Sequence, residues 1–215
     1  MARGRAVIQP PSPFLFTDTF ASTQNPYTGQ GSGLGGASFF GDWGDMQTAS
    51  GHCYGTTFSD VDYDDSLTVW DTGSADHYVE AVIWRSSPSY NPGVSHEAQL
   101  IVRAGGSAGT LELLEILFAH DGTNIQLVRW NGDLNDVDVL SWDSGGNMGR
   151  VPEDGDVVRA EIIGNELTVY LNDVEVASVT LADHAGNTMA GIMCFARTGA
   201  TLANYGFHSV EVGEL

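Results

Sequence analysis

Residues 156–181 read DVVRAEIIGNELTVYLNDVEVASVTL, and their pattern decides the fold. Val158, Ala160 and Ile162, then Leu167, Val169 and Leu171, recur at every second position. That period puts side chains on one face of a strand. Gly164-Asn165 and Asn172-Asp173 interrupt it, and such dipeptides accept the positive φ of two-residue hairpins. Strands are predicted at about residues 156–163, 166–171 and 174–181. Each has one apolar face, and a second layer must cover it.

The same signature extends in both directions. FLFTDTF (residues 14–20) alternates like a first strand. A glycine-rich stretch, residues 29–45, follows and reads as a loop, with Phe39, Phe40 and Trp43 anchoring its end. SLTVWD, DHYVEAVIWR, EAQLIVRA, NIQLVRW and DVDVLSW continue as strands, as do AGIMCFAR and NYGFHSVEV after residue 181. TLELLEILFAH carries helix-favouring Leu, Glu and Ala. Its flanking glycines and its neighbours favour a strand. Trp84 is expected in the core or between sheets. About a dozen short strands separated by turn signals predict an all-β, antiparallel sandwich.

Residues 151–212 resemble the concanavalin A-like lectin/glucanase superfamily, which includes the laminin-G-like jelly rolls. The resemblance lies in GDVVRAE, in the GNELTVYLN hairpin, and in the Gly-Ile strand GIMCFA. It implies a last strand paired with an N-terminal D-x-F strand, here Asp18 and Phe20, and HYVEAVI as a second matching strand. It covers most of residues 14–215, although residues 88–149 fit by strand count alone. A jelly-roll β-sandwich is therefore expected over residues 14–215. The fold carries lectins, hydrolases, lyases and structural domains, so function must come from a site.

Retaining glycosidases of that superfamily carry carboxylates at alternate positions of one strand, which sets two of them on one face. No glutamate here has that spacing. Glu112 and Glu115 are three apart and face opposite ways; Glu80 stands alone in its strand. The lyase patterns are absent as well, and Arg103, Arg129 and Arg159 read as exposed or ion-paired singles. No two of the six histidines are spaced as a local zinc pair. Catalysis by atypical residues stays open as an alternative to a non-catalytic binding or structural module.

Sugar rings stack on exposed aromatics beside polar groups. VRWNGDLND and LSWDSGGN offer Trp130 with Asp133 and Trp142 with Asp143 as candidate glycan contacts. For each tryptophan, packing on a sheet face is the competing reading. DVDYDDSLTVWD, residues 60–71, has five carboxylates in twelve residues. It lacks the glycine at position six and the flanking helices of an EF-hand. Asp60, Asp62 and Asp64 in an inter-strand turn remain a candidate calcium site, set against a plain solvated acidic turn.

The chain has 28 acidic residues, eight arginines and no lysine, a formal net charge of -20. Such a surface repels phosphate backbones and argues against nucleic acid. No stretch approaches the ~20 apolar residues of a membrane helix. Residues 1–13 differ from the rest: Arg3 and Arg5 with Pro10, Pro11 and Pro13 suggest an extended basic arm. Such an arm could dock on an acidic neighbouring subunit, against the alternative of a frayed terminus. The N-terminus lacks the apolar run of a secretory signal. Together these features suggest a lectin-like module on an extracellular or viral surface, such as a phage tail or capsid decoration. Its expected partners are surface glycans, other subunits of the particle, or a second copy. Cys53 and Cys194 have no CxxC partner; a disulfide between them and two buried thiols are both open.

Overall fold

The computed structural model describes residues 14–27, 29, 33–35, 43–56, 65–87, 96–107, 110–118, 125–132, 136–140 and 148–215. Sixteen strands and one 3-10 turn, Leu202–Asn204, account for nearly all regular structure there. In chain order they begin with β1 (Leu15–Asp18), β2 (Gln24–Tyr27), β3 (Gly33–Gly35), β4 (Gly44–Ala49) and β5 (His52–Gly55). Then come β6 (Ser66–Asp71), β7 (His77–Arg85), β8 (His96–Gly105), β9 (Leu111–Phe118), β10 (Ile125–Gly132) and β11 (Val137–Val139). The chain ends with β12 (Val157–Ile163), β13 (Glu166–Leu171), β14 (Val174–Thr180), β15 (Met189–Ala196) and β16 (Tyr205–Glu214).

The opening stretch folds as its pattern requires. β12 pairs with β13 and β13 with β14, in antiparallel register. Gly164 has φ +56, while Asn172 and Asp173 have +50 and +63. Two successive positive values match a type I′ hairpin, and a glycine first matches II′. β1 pairs with β16, setting Asp18 opposite Val210.

One sheet runs β5-β16-β7-β12-β13-β14 and the other β11-β10-β9-β8-β15-β6. The β4–β5 hairpin bridges them. β5 touches β16, while β4 pairs parallel with the start of β6. Between the sheets lies the core, with Val79, Ala81, Ile83, Val158, Ala160 and Val169 facing Leu100, Leu114, Ile116, Leu127 and Ile192. Residues 111–118 form a strand despite their helix propensity, because β8 and β10 flank them on both sides. Tertiary pairing overrides local preference.

Three expectations need revision. The glycine-rich stretch contains the short strand β3, paired with β6, and leads into β4. Trp84 is on the outer face of the first sheet: in β7, Val79, Ala81 and Ile83 are buried while Trp84 is half-buried. Arg103 is buried and has no ion-pair partner among the described residues. It is 1% exposed and donates to the backbone carbonyls of Asp183 (3.1 Å), Leu181 (3.4 Å) and Gly164. It thereby ties β8 of one sheet to the turns of the other. Arg129 and Arg159 do pair, with Asp138 and Asp183 and with Glu80 and Glu161. Cys53 and Cys194 are buried free thiols.

Buried histidines make this packing pH-sensitive. His77 Nδ1 lies 2.8 Å from the Ser74 carbonyl, and its Nε2 accepts the Arg103 N–H at 3.1 Å. Only the neutral ring can do both. Burial pushes His77, His96 and His184 below their usual 6.5. Burial alone would raise Asp156, but bonds from Arg150, Asn172 and the Glu153 N–H hold it at about 2. A depressed folded-state pKa gives stability that is present above the unfolded value and lost on acidification. Urea midpoints should therefore fall in two stages, first as pH drops below 6.5 and again from 3.8 towards 2. A midpoint constant from pH 7.5 to 5 would contradict this account.

Candidate functional site

β8, β9 and β15 are buried on almost every residue, not on alternate ones. One set of side chains enters the core. The other set faces away from it and forms a second apolar cluster around Leu67, Ile101, Leu113, Val128 and Met193. A sheet covered on both faces has near-continuous apolar strands. Polar residues within such a face carry a desolvation cost that calls for an explanation.

Register sets the polar residues of this face in rows. Glu97 in β8 is opposite Phe195 in β15, and Gln99 is opposite Met193 and Leu117. Glu115 in β9 is opposite Ile101 and Val128, and Trp130 in β10 is opposite Leu113 and Val137. Asp65 enters just before β6. A cavity of about 200 Å³ opens here, and Asp65, Glu97, Glu115, Gln126, Trp130 and Phe195 are among its walls. Glu115 is only 2% exposed and accepts a hydrogen bond from Trp130 Nε1 at 2.7 Å. Trp43, leading into β4, packs edge-on against Trp130 with ring centres 4.8 Å apart. The Gln99 side chain is fully buried. Its Nε2 reaches Glu97 Oε2 at 3.3 Å and Asp65 Oδ1 at 3.4 Å. Its Oε1 has no hydrogen-bond partner among the described residues. Exchanging the amide atoms would not help, since oxygen would then face two carboxylates.

The sequence named one of these residues. Trp130 forms a wall of the cavity and holds Glu115; it is 3% exposed and offers no open platform for stacking. Asp133, Trp142 and Asp143 lie outside the described residues, as do Asp60, Asp62 and Asp64 and the arm residues Arg3, Arg5, Pro10 and Pro11. Among the described residues no group of three or more His, Cys, Asp or Glu side chains is placed to hold a metal. Asp65, Glu97 and Glu115 were missed because they come from separate stretches of the chain: the residue before β6, then β8 and β9. Glu112, as its spacing implied, faces the other way and meets Asn187.

No protein-family model matches the chain, and no curated protein matches it in sequence. Solved structures do match. One is described under endo-acting O-glycanases that members of the human gut microbiota express to initiate mucin breakdown; it is 11% identical, with 93% of this chain and 98% of that one covered and a TM-score of 0.56. A β-glucanase of Bacillus licheniformis is 14% identical, with 93% and 94% covered and a TM-score of 0.52. The chain has the concanavalin A-like jelly-roll fold. A third match is a GlcNAcα1-4Gal-releasing endo-β-galactosidase of Clostridium perfringens, 10% identical, with a TM-score of 0.53. There 98% of this chain matches 65% of that one. At such identities the likeness is one of jelly-roll architecture alone.

Trp130→Phe removes one donor from a buried carboxylate. It should cost about 1–3 kcal/mol in urea unfolding, whereas Glu115→Gln, which keeps an acceptor oxygen, should cost less. Equal midpoints for Trp130→Phe and wild type would mean that this bond adds nothing to the jelly roll.

Proposed function

We propose that the chain is a non-catalytic, lectin-like module that binds carbohydrate in the cavity on the outer face of the second sheet. The observation that supports this is the cavity's composition: carboxylates of Asp65, Glu97 and Glu115 set among Val128, Trp130 and Phe195. Sugar hydroxyls donate to carboxylates, and sugar C–H faces pack on apolar walls. A few convergent polar groups in an apolar cavity are what small-molecule recognition uses. The structural neighbours named above act on carbohydrate, in keeping with this ligand class.

A second reading is a glycoside hydrolase or polysaccharide lyase with atypical residues. What favours it is the convergence of three carboxylates from separate parts of the chain, since two carboxyl groups flanking one glycosidic bond are what acid–base cleavage requires. We infer display on an extracellular or virus-particle surface, such as a phage tail or capsid decoration. There the basic arm, with Arg3, Arg5, Pro10 and Pro11, docks on an acidic neighbour. The net charge of -20 supports such docking. Calcium held by Asp60, Asp62 and Asp64 belongs to the same reading.

A glycan array run beside a polysaccharide depolymerisation assay separates the readings. Binding without cleavage is expected, and Glu97→Ala should weaken it about tenfold or more with the circular dichroism spectrum unchanged. Cleavage products that vanish in Glu97→Gln or Glu115→Gln would establish the hydrolase instead. Neither binding nor cleavage would remove both. For the ion, millimolar calcium added after chelation should raise Tm by several degrees. An unmoved Tm removes calcium from the proposal.

A further inference from the structure

The cavity on the outer face of the second sheet is rich in acceptors. Three carboxylates stand in its walls, Asp65 before β6, Glu97 in β8 and Glu115 in β9, and none of its described walls is an arginine. The chain has no lysine at all. An ionised carboxylate offers about four acceptor sites, so three offer roughly a dozen. The donors that reach them include Gln99 Nε2, 3.3 Å from Glu97 Oε2 and 3.4 Å from Asp65 Oδ1, and Trp130 Nε1, 2.7 Å from Glu115 Oε2. One amide nitrogen thus serves two carboxylates at long range. Gln99 also adds an acceptor of its own: the side chain is fully buried, and its Oε1 has no hydrogen-bond partner among the described residues. A buried amide oxygen left so is costly, and a donor carried in by a guest removes the cost.

Charge points the same way as the donor count. Asp65 and Glu97 meet at one neutral amide, and like charges held close disfavour each other. A cation set between them reverses that. Among the described residues no group of three or more His, Cys, Asp or Glu is placed to hold a metal ion. The cation that fits is therefore an organic one, which brings its own spacing between charge and body. Trp130 and Phe195 also stand in the walls. Aromatic walls take the C–H faces of a sugar, and their π-systems attract a cation.

We propose that the guest of this cavity is a sugar residue with a free, protonated amine, such as a 2-amino-2-deoxyhexose, and that acidic sugars are excluded. This guest presupposes the carbohydrate reading above and narrows it. An ammonium has three donors and no acceptor, a hydroxyl has one donor and two acceptor lone pairs, and a carboxylate or sulfate has acceptors alone. Against walls rich in acceptors the amine ranks first, the hydroxyl second and the acid last. N-acetylation removes the charge and adds a carbonyl acceptor, so it forfeits the advantage. A hydrogen bond between ions is roughly twice as strong as one between neutral groups. The net charge of -20 adds to the ranking by drawing cations towards the molecule and repelling anions. The cavity, about 200 Å³, is smaller than the roughly 300–1,000 Å³ of drug-sized pockets, so one ring enters it.

The test compares methyl glycosides that differ in one group: glucosamine, glucose, N-acetylglucosamine and glucuronic acid, and the galacto counterpart of each. Each is titrated into the whole protein at acidic pH, and the Trp130 indole N–H resonance reports occupancy at the cavity wall. In the better series the amine should bind about tenfold or more tightly than the hydroxyl and N-acetyl members, and the acid should not bind. Val139 is a wall residue and 55% exposed, so Val139→Lys adds a cation there without disturbing the core. It should erase the preference for the amine. Glu97→Gln keeps the shape, removes a charge, and should shrink the preference. Equal affinity for amine and hydroxyl members, tighter binding of the acid, silence from every glycoside, or a preference unaltered in both variants would overturn the inference. So would n-propylamine binding as tightly as the amino sugars, since the ring would then add nothing. The glycan array judges the carbohydrate reading separately: glycans bound there with no amine preference here leave that reading standing.

Discussion

The second sheet is covered on both faces, and most of the molecule follows from that. A strand's side chains alternate, so half of β8, β9 and β15 goes to the core and half to the opposite face. In the first sheet the outward half is polar and half-exposed, with Arg159 bridging Glu80 and Glu161 and lying over Tyr78. In the second sheet the outward half is apolar and closed over, Trp43 included. Carboxylates on the first face cost little, because water solvates them. Asp65, Glu97 and Glu115 on the second are kept at a desolvation cost that packing alone does not require. That contrast puts the candidate site on one sheet and not the other.

Among the described residues, Arg103 and the β4–β5 hairpin are two of the ties that hold the sheets in that relation. Arg103 reaches out of β8 to carbonyls of the β12–β13 turn and of the segment after β14. A buried guanidinium satisfied by carbonyls is specific in geometry, since its donors form a fixed fork. At another edge the β4–β5 hairpin pairs with both sheets. One tie is built of buried side-chain hydrogen bonds, the other of strand pairing.

The fold was largely legible because its signals are local. Alternation and turn dipeptides located β12, β13 and β14 to within a residue, and the D-x-F strand found its partner in β16. β2, β3, β4 and β5 escaped: three or four residues rich in Gly, Pro and Gln carry too little alternation in β2 and β3, β4 begins inside the glycine-rich stretch, and β5 has only four residues. The candidate site was poorly legible for a different reason. A motif search along one strand finds only residues that share that strand. Glu97 and Glu115 are 18 positions apart in the chain, and only the β8–β9 pairing brings their neighbourhoods together. Trp130 was found as a residue but not in its environment: the sequence shows an indole beside polar turn residues, not the Glu115 carboxylate that takes its N–H.

The same topology gives Asp65 a double role. Its carboxylate shares the Gln99 amide with Glu97, and its carbonyl accepts from the Gly44 N–H. Asp65 therefore couples the cavity and the start of β4 through bonds of different kinds. A change of charge at the cavity would act through the Asp65 carboxylate, whereas a displacement of β4 would act through its backbone. Electrostatic coupling weakens with added salt, and a backbone hydrogen bond does so far less. The salt dependence of ligand affinity therefore distinguishes which of the two routes links the rest of the molecule to the cavity.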